Sequence, residues 1–195
     1  MRTPIRAPLL LAALALACAA PGTEQAAESA AVSAAGGSSV TADLLNDIVQ
    51  VEGKMMGLAN AIPAEKYDWR PTGARSIAEV LKHVAADNYL LPAALGHAPD
   101  TATGIRGDDY NTAVAFEKRE MSRDAILAEL QKSFAFVKAS LENAQPASLG
   151  NQVSLFGQTF TGQQVWIIAA THLHEHLGQM IAYARSNGIA PPWSN

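Results

Sequence analysis

The chain has 195 residues, 49% of them hydrophobic, which predicts one domain with its own core rather than two. The formal net charge is −4 and the sequence has no cluster of basic residues, so nucleic acid is not expected as a partner. The one cysteine, Cys18, excludes an intrachain disulfide, and its position excludes cysteine nucleophile chemistry in the domain that follows.

The first residues have the pattern of a secretory signal peptide. Two arginines give a short basic start, and residues 7–20 are almost wholly apolar but too few to span a membrane. We therefore expect a signal peptide over residues 1–17 and an exported protein.

Cys18 leaves two versions of this export open. Cleavage just before it would resemble the processing of bacterial lipoproteins, whose cysteine carries the lipid, and would give a lipid anchor at the cell envelope. Cleavage at Ala17 or Ala19 would instead release an ordinary periplasmic protein. In either case residues 18–40, rich in Ala, Gly and Ser, are expected to form a flexible tether.

The rest of the chain, residues 41–195, is predicted to be an all-α domain, a four-helix bundle. Four segments each carry one apolar stripe at intervals of three and four residues. They lie at about residues 42–61 with Thr41 as N-cap, from Ser76, from about Ser122, and at about 161–187.

Four local features add detail to this bundle. Ser76 and Glu79 form a capping-box pattern at the start of the second helix, and Pro92 is expected to kink that helix or to end it earlier. The loop 96–109 is long enough for a crossover rather than a tight turn. Residues 153–160 are compatible with a short extended piece.

Three histidines are candidates for a metal site. In the segment THLHEHLGQ, His172 and His176 lie one helical turn apart, so both rings fall on nearly the same face, at the flank of the apolar stripe. His83 flanks the stripe of the second helix, whereas His97 and His174 are expected to point elsewhere. Two or three such imidazoles can share one divalent cation and leave coordination positions open for water or substrate.

Two polar neighbours are candidates for supporting roles. Asp87, one turn beyond His83, could be an oxygen ligand, a base, or a partner of a ring N–H, and the last is the default. Gln179 borders the same face as the histidine pair and could hold a ligand imidazole or a bound water.

Three stretches of the chain together resemble the DinB-like family, whose members are four-helix bundles. They are YDWRP before the second helix, RSIAEVLKHVAADN with the first histidine, and HLHEHLGQMIAYARSNGIAPPWS at the end. The resemblance implies that His83, His172 and His176 bind one divalent metal, with nickel or zinc first and iron or manganese also compatible with imidazole ligands. Many members have arginine after the last histidine, where this chain has Leu177, and a contact to an anionic substrate is lost there.

Three functions remain open on this basis. Family members include transferases and isomerases that use small thiols such as bacillithiol and mycothiol, so the first is a metal-dependent hydrolase or thiol-type transferase acting on a small molecule with metal-activated water or thiol. The second is a non-catalytic exported protein that binds metal or a small ligand. The third is a purely structural bundle with buried histidines. A homodimer is compatible with each of them.

Overall fold

The computed structural model describes residues 39–194, and five α-helices account for most of them. The prediction of an all-α fold is confirmed, with one small hairpin added. The elements are α1 Val40–Ala61, α2 Ile77–Ala94, α3 Tyr110–Glu117, α4 Arg123–Glu142, β1 Gln152–Leu155, β2 Gln158–Thr161 and α5 Gly162–Ser186. The expected signal peptide lies outside the described residues, and so does nearly all of the expected tether.

The four long helices form a bundle in which each packs against two others. Helix α1 contacts α4 and α5, and α2 contacts the same two helices from the opposite corner. The consecutive helices α1 and α2 are therefore diagonal, an arrangement that the sequence patterns do not specify. The core is built from the apolar stripes of these helices, and Trp166 of α5 is buried within it.

The bundle places α2 and α5 side by side in opposite directions. Trp69, just before α2, packs edge-on against Tyr183 near the end of α5 at a ring distance of 5.3 Å. His97, just after α2, packs edge-on against Trp166 near the start of α5 at 5.9 Å. Residues in the middle of the two helices consequently face each other.

The ends of two helices differ from prediction. Helix α1 begins two residues earlier than expected, because the Ser39 hydroxyl, rather than that of Thr41, accepts the capping hydrogen bond, which comes from the Ala42 amide. Helix α2 continues through Pro92 to Ala94, so of the two expectations for Pro92, a kink or an earlier end, the earlier end is wrong. The proline stands in the last turn, where its missing N–H removes only one helical bond.

The connection between α2 and α4 contains the short helix α3, which the sequence analysis missed. Only Ala113 and Phe116 of this helix are buried, too few to make a periodic stripe. Helix α3 packs on α2, and the segment just before α3 lies very close to the backbone of α2. A Cβ at Gly107 would lie 2.2 Å from the backbone of Ala93, so only glycine fits there.

The expected extended piece is a two-stranded antiparallel hairpin leading into α5. Its turn has positive φ at both central residues, 52° at Phe156 and 73° at Gly157, which is the geometry of a tight primed turn. Across residues 39–194, no helix combines the length and the apolar character needed to span a membrane.

Candidate metal centre

The middle of the α2–α5 contact brings three histidine rings together. His83 lies in the second turn of α2, and His172 and His176 lie one turn apart on α5. One ring nitrogen from each residue falls within 4.8 Å of the other two. The ring centroids are separated by only 4.4 to 5.0 Å. We call these three residues the histidine cluster.

Helix caps define where both helices that carry the histidine cluster begin. The Ser76–Glu79 capping box is formed, with the Glu79 carboxylate accepting from the Ser76 amide at 2.7 Å. A second capping box, between Thr161 and Gln164, begins α5. Burial of the apolar stripes then turns the cluster toward the bundle interior.

The cluster is buried but reachable from one side. His83 and His176 are 7% and 6% exposed, while the His172 side chain is 17% exposed. The other two described histidines lie elsewhere, as expected. His174 is exposed and pairs with Asp47, and His97 packs on Trp166.

Burial favours the neutral form of two of the cluster histidines. It is the main cause that lowers the pKa of His172 to about 3, together with charge repulsion from the neighbouring His176 and His83. Burial also lowers the pKa of His176, although its hydrogen bond to Gln179 opposes this. Neutral imidazole is the form that binds metal ions, so these rings are competent ligands near neutral pH.

Asp87 lies on the inner side of the cluster. Its Oδ2 is 3.1 Å from Nε2 of His172 and 3.7 Å from Nε2 of His83. Burial raises the pKa of Asp87 to about 6 against the lowering effect of His83. The structure therefore places this carboxylate beside the ring nitrogens that face the centre, a position compatible with each of its three expected roles.

The residues present fit a divalent cation. The Nε2 atoms of His83 and His172 are 3.1 Å apart, so two neutral rings can share at most one proton between them. Asp87 Oδ1 is buried and has no hydrogen-bond partner among the described residues. A cation would satisfy these converging lone pairs, and imidazole nitrogen with carboxylate oxygen is a donor set common to several divalent metals.

Outer partners orient two of the rings. His83 Nδ1–H donates to Glu117 Oε1 at 2.8 Å, and His176 Nδ1–H donates to Gln179 Oε1 at 2.8 Å. The Gln179 amide in turn donates to the Tyr183 hydroxyl at 2.8 Å. Each contact leaves the Nε2 lone pair of its ring directed at the centre.

Glu117 was missed by the sequence analysis, whereas Gln179 was among its candidates. Glu117 belongs to α3 and lies 34 residues from His83, so no helical spacing connects them. Burial raises its pKa, but the His83 hydrogen bond and the charge of Arg75 outweigh this and hold the pKa below its ordinary value. Leu177, the residue after the last cluster histidine, is buried in the core.

Comparison with known proteins agrees with this fold. The sequence profile of the DinB superfamily matches residues 47–180. A DinB-like protein from Bacillus subtilis is similar over 75% of this chain and 92% of its own, with a TM-score of 0.56 and 19% identity. A DinB-like protein from Bacillus cereus is similar over 78% of this chain and 95% of its own, with a TM-score of 0.62 and 15% identity.

These two structural likenesses, at such low identity, concern the fold alone. No curated protein matches the chain. The family assignment rests on the profile, which spans more than half of the sequence and includes all three clustered histidines. The chain belongs to the DinB superfamily.

Proposed function

We propose that the protein is an exported enzyme that binds one divalent metal ion through His83, His172 and His176 and acts on a small molecule as a hydrolase or transferase. The convergence of three buried ring nitrogens from two helices carries this proposal. Nickel and zinc are the first candidates, and iron and manganese also accept imidazole ligands.

An incomplete set of protein ligands supports catalysis over a structural metal site. Three nitrogens from the cluster leave coordination positions open, as in catalytic zinc sites, whereas structural zinc sites have four protein ligands. A divalent ion held there would supply Lewis acidity, which makes a water molecule or a thiol nucleophilic at neutral pH. The partly exposed ring of His172 marks the side from which a small molecule would enter.

The surrounding residues have distinct tasks in this proposal. Glu117 and Gln179 hold the rings of His83 and His176 by their Nδ1–H groups and so fix the direction of both Nε2 lone pairs. Asp87, whose Oδ2 lies 3.1 Å from Nε2 of His172, would accept a proton from the nucleophile.

Elemental analysis tests the metal site. Protein purified without a histidine tag is expected to contain about one divalent ion per chain, and His176→Ala is expected to lose nearly all of it because two ring nitrogens retain metal poorly. His174→Ala is the matched control, since His174 lies on the same helix but outside the cluster. Equal metal content in the wild type and His176→Ala would refute the proposal.

The second candidate is an exported protein that binds metal without turnover. The low exposure of His83 and His176 favours it, because a deeply buried ion exchanges slowly. Tight retention of metal with no exchangeable water would support this candidate. Conversion of any ester, amide or thiol substrate by the metal-loaded protein, lost in His176→Ala, would exclude it.

The composition of residues 1–40 supports the proposal of export. We propose that these residues form a signal peptide followed by a tether and that Cys18 carries a lipid anchor. Expression of the full chain in a bacterium, followed by membrane fractionation, tests the anchor. Cys18→Ala is expected to move the protein from the membrane to the soluble envelope fraction. If both forms are equally soluble, the lipid anchor is wrong while export itself stands.

A further inference from the structure

The loop before α2 contains the sequence YDWRP, residues 67–71, and is bonded to the start of that helix. The Ile77 amide donates to the Trp69 carbonyl at 3.1 Å, and the Ala78 amide donates to the Tyr67 carbonyl at 2.9 Å. The first amides of a helix have no acceptor within the helix, and here the loop supplies two of them. The backbone of Trp69 is therefore fixed relative to α2.

The Trp69 ring contacts the part of α5 that follows the two cluster histidines. It is partly buried and packs edge-on against Tyr183, with 5.3 Å between the ring centroids and 78° between the ring planes. Tyr183 is itself 6% exposed. Edge-to-face packing is a preferred arrangement of two aromatic rings, so the contact holds the Tyr183 ring between α5 and the loop.

The Tyr183 hydroxyl connects this aromatic pair to the histidine cluster. It accepts a hydrogen bond from Gln179 Nε2 at 2.8 Å, while Gln179 Oε1 accepts from Nδ1–H of His176 at 2.8 Å. Residues 176, 179 and 183 are spaced by three and four positions and so lie on one face of α5. Both ends of the Gln179 amide are thus anchored.

The orientation of the Gln179 amide decides which ring nitrogen of His176 carries the proton. With Oε1 toward the ring, Nδ1 carries it, and Nε2 keeps a lone pair for a metal ion. If the amide rotated by half a turn, its NH₂ group would face Nδ1 and the proton would have to sit on Nε2. The last torsion of a glutamine side chain has broad preferences, so an amide held at one end only can rotate in this way.

We infer that Tyr183 and Trp69 are positioning residues of the metal centre. Tyr183 acts through Gln179, because its hydroxyl holds the far end of the amide. The amide then keeps His176 in the tautomer whose Nε2 can bind a metal ion. Trp69 acts one step further out, by holding the Tyr183 ring. The inference rests on the proposed function, since it concerns a ligand of that same centre.

Tyr183→Phe tests the hydroxyl, because it keeps the ring and its contact with Trp69. Tyr67→Phe is the matched control. Tyr67 is also buried, and its hydroxyl donates to the Ala59 carbonyl at 2.7 Å rather than toward the cluster. Each variant loses one buried hydrogen bond, so both are expected to lose similar stability. Trp69→Leu removes the aromatic contact, and Trp69→Phe retains part of it.

NMR of metal-free protein with isotope-labelled histidine measures the tautomer near neutral pH, because the shifts of the two ring nitrogens distinguish the forms. The His176 signals are identified by their loss in His176→Ala. The wild type and Tyr67→Phe are expected to show Nδ1 protonated. Tyr183→Phe and Trp69→Leu are expected to show both tautomers in exchange, with Trp69→Phe closer to the wild type. Protonated Nε2 in the wild type, or a wild-type spectrum in Tyr183→Phe, would overturn the inference.

Competition with a chelator measures the Kd for zinc in the same variants. The Kd is expected to rise about two- to tenfold in Tyr183→Phe, as for loss of one hydrogen bond, and to stay unchanged in Tyr67→Phe. In a Gln179→Ala background, Tyr183→Phe is expected to have no further effect, because the hydroxyl then has no amide to hold. Equal effects with and without Gln179, or an equal loss in Tyr67→Phe, would contradict the positioning role.

The two measurements separate this inference from the proposed function. A wild type that takes up no zinc, but whose His176 tautomer depends on Tyr183, would remove the proposed function and leave the positioning of the ring intact. Normal zinc uptake, with a tautomer and a zinc Kd that are unchanged in Tyr183→Phe, would remove the positioning role and leave the proposed function intact.

Discussion

At the scale of single residues, the hydrogen bond from His83 to Glu117 determines how the histidine ring is presented to a metal ion. A carboxylate on Nδ1 fixes the tautomer and the ring orientation, and it makes Nε2 a stronger base. Glu117 is half buried and also contacts Arg75, so it couples the inner and the solvent-facing sides of the centre.

Glu117→Gln is therefore expected to weaken metal affinity by about 10- to 100-fold, the range seen when such outer partners are lost. The amide keeps the size of the side chain but removes its charge. Competition with a chromophoric chelator measures the change. Glu120→Gln, in the same segment but exposed, is expected to bind metal like the wild type. Unchanged metal affinity in Glu117→Gln would mean that the hydrogen bond from His83 to Glu117 does not affect metal binding.

The neutral state of His172 predicts a pH effect on the metal-free protein. Its pKa is about 3 in the fold, against about 6.5 in an unfolded chain, so only the unfolded state binds the proton between these values. The free energy of unfolding should then fall as the pH falls from about 6.5 toward 3. Asp87, with its pKa raised to about 6, acts in the opposite sense: its contribution is present at low pH and is lost as the pH rises through 6.

Comparison with His172→Gln isolates the histidine, because Asp87 is present in both proteins. Urea unfolding of the metal-free forms would be measured between pH 4 and pH 7.5. As the pH falls, the free energy of unfolding is expected to decrease more steeply for the wild type than for the variant. Parallel curves would show that the fold does not hold this ring neutral.

Much of the residue-level site was predictable, and the remainder depends on tertiary contacts. The spacing of His172 and His176 and the stripe position of His83 indicate convergence, because helical geometry dictates which side chains share a face. Glu117 gave no such signal. Asp87 could be placed near the cluster but not on its inner side, because that depends on how α2 and α5 are rotated against each other.

At the scale of elements, the helix caps connect stability to the site. The Ser76 hydroxyl accepts from the Glu79 amide and begins α2 shortly before His83, while the Ser122 hydroxyl accepts from the Ala125 amide and begins α4. The two serines have the same local role, but only Ser76 caps a helix of the histidine cluster.

Ser76→Ala and Ser122→Ala are each expected to lower the free energy of unfolding by about 1 kcal/mol, as for loss of an N-cap. Ser76→Ala alone is expected also to weaken metal binding, because fraying of the first turn of α2 reaches His83. Denaturant unfolding and chelator competition measure the two effects. A similar loss of metal affinity in both variants would show that the effect is global.

Long periodic elements were predictable, and short or interrupted ones were not. The apolar stripes predicted α1, α2, α4 and α5, because each of these helices has many buried residues at regular intervals. Helix α3 is held by two buried residues and by the close approach at Gly107, so tertiary packing decides it. The same applies to the last turn of α2, where packing overrides the local cost of Pro92.

At the scale of the whole molecule, the centre joins parts of the chain that are far apart in sequence. His83 and His172 are 89 residues apart, and Glu117 comes from the segment that connects α2 to α4. A ligand that binds the folded state and not the unfolded chain stabilises the fold by mass action.

Zinc or nickel at about 100 times its Kd is therefore expected to stabilise the wild type by about 2.7 kcal/mol and to raise its Tm, and a chelator should reverse this. His174→Ala is expected to respond in the same way. His176→Ala is expected to show little metal-dependent change in Tm. A comparable rise in His176→Ala would place the stabilising ion elsewhere in the molecule.

The position of Glu117 in α3 has a consequence for how this protein can diversify. The four long helices and the three histidines form a scaffold that does not include the segment between α2 and α4. Substitutions or exchanges in that segment can alter the basicity of His83 through Glu117 while the scaffold persists. Evolution, or a protein engineer, thus has one compact region in which reactivity and selectivity can be adjusted without rebuilding the bundle.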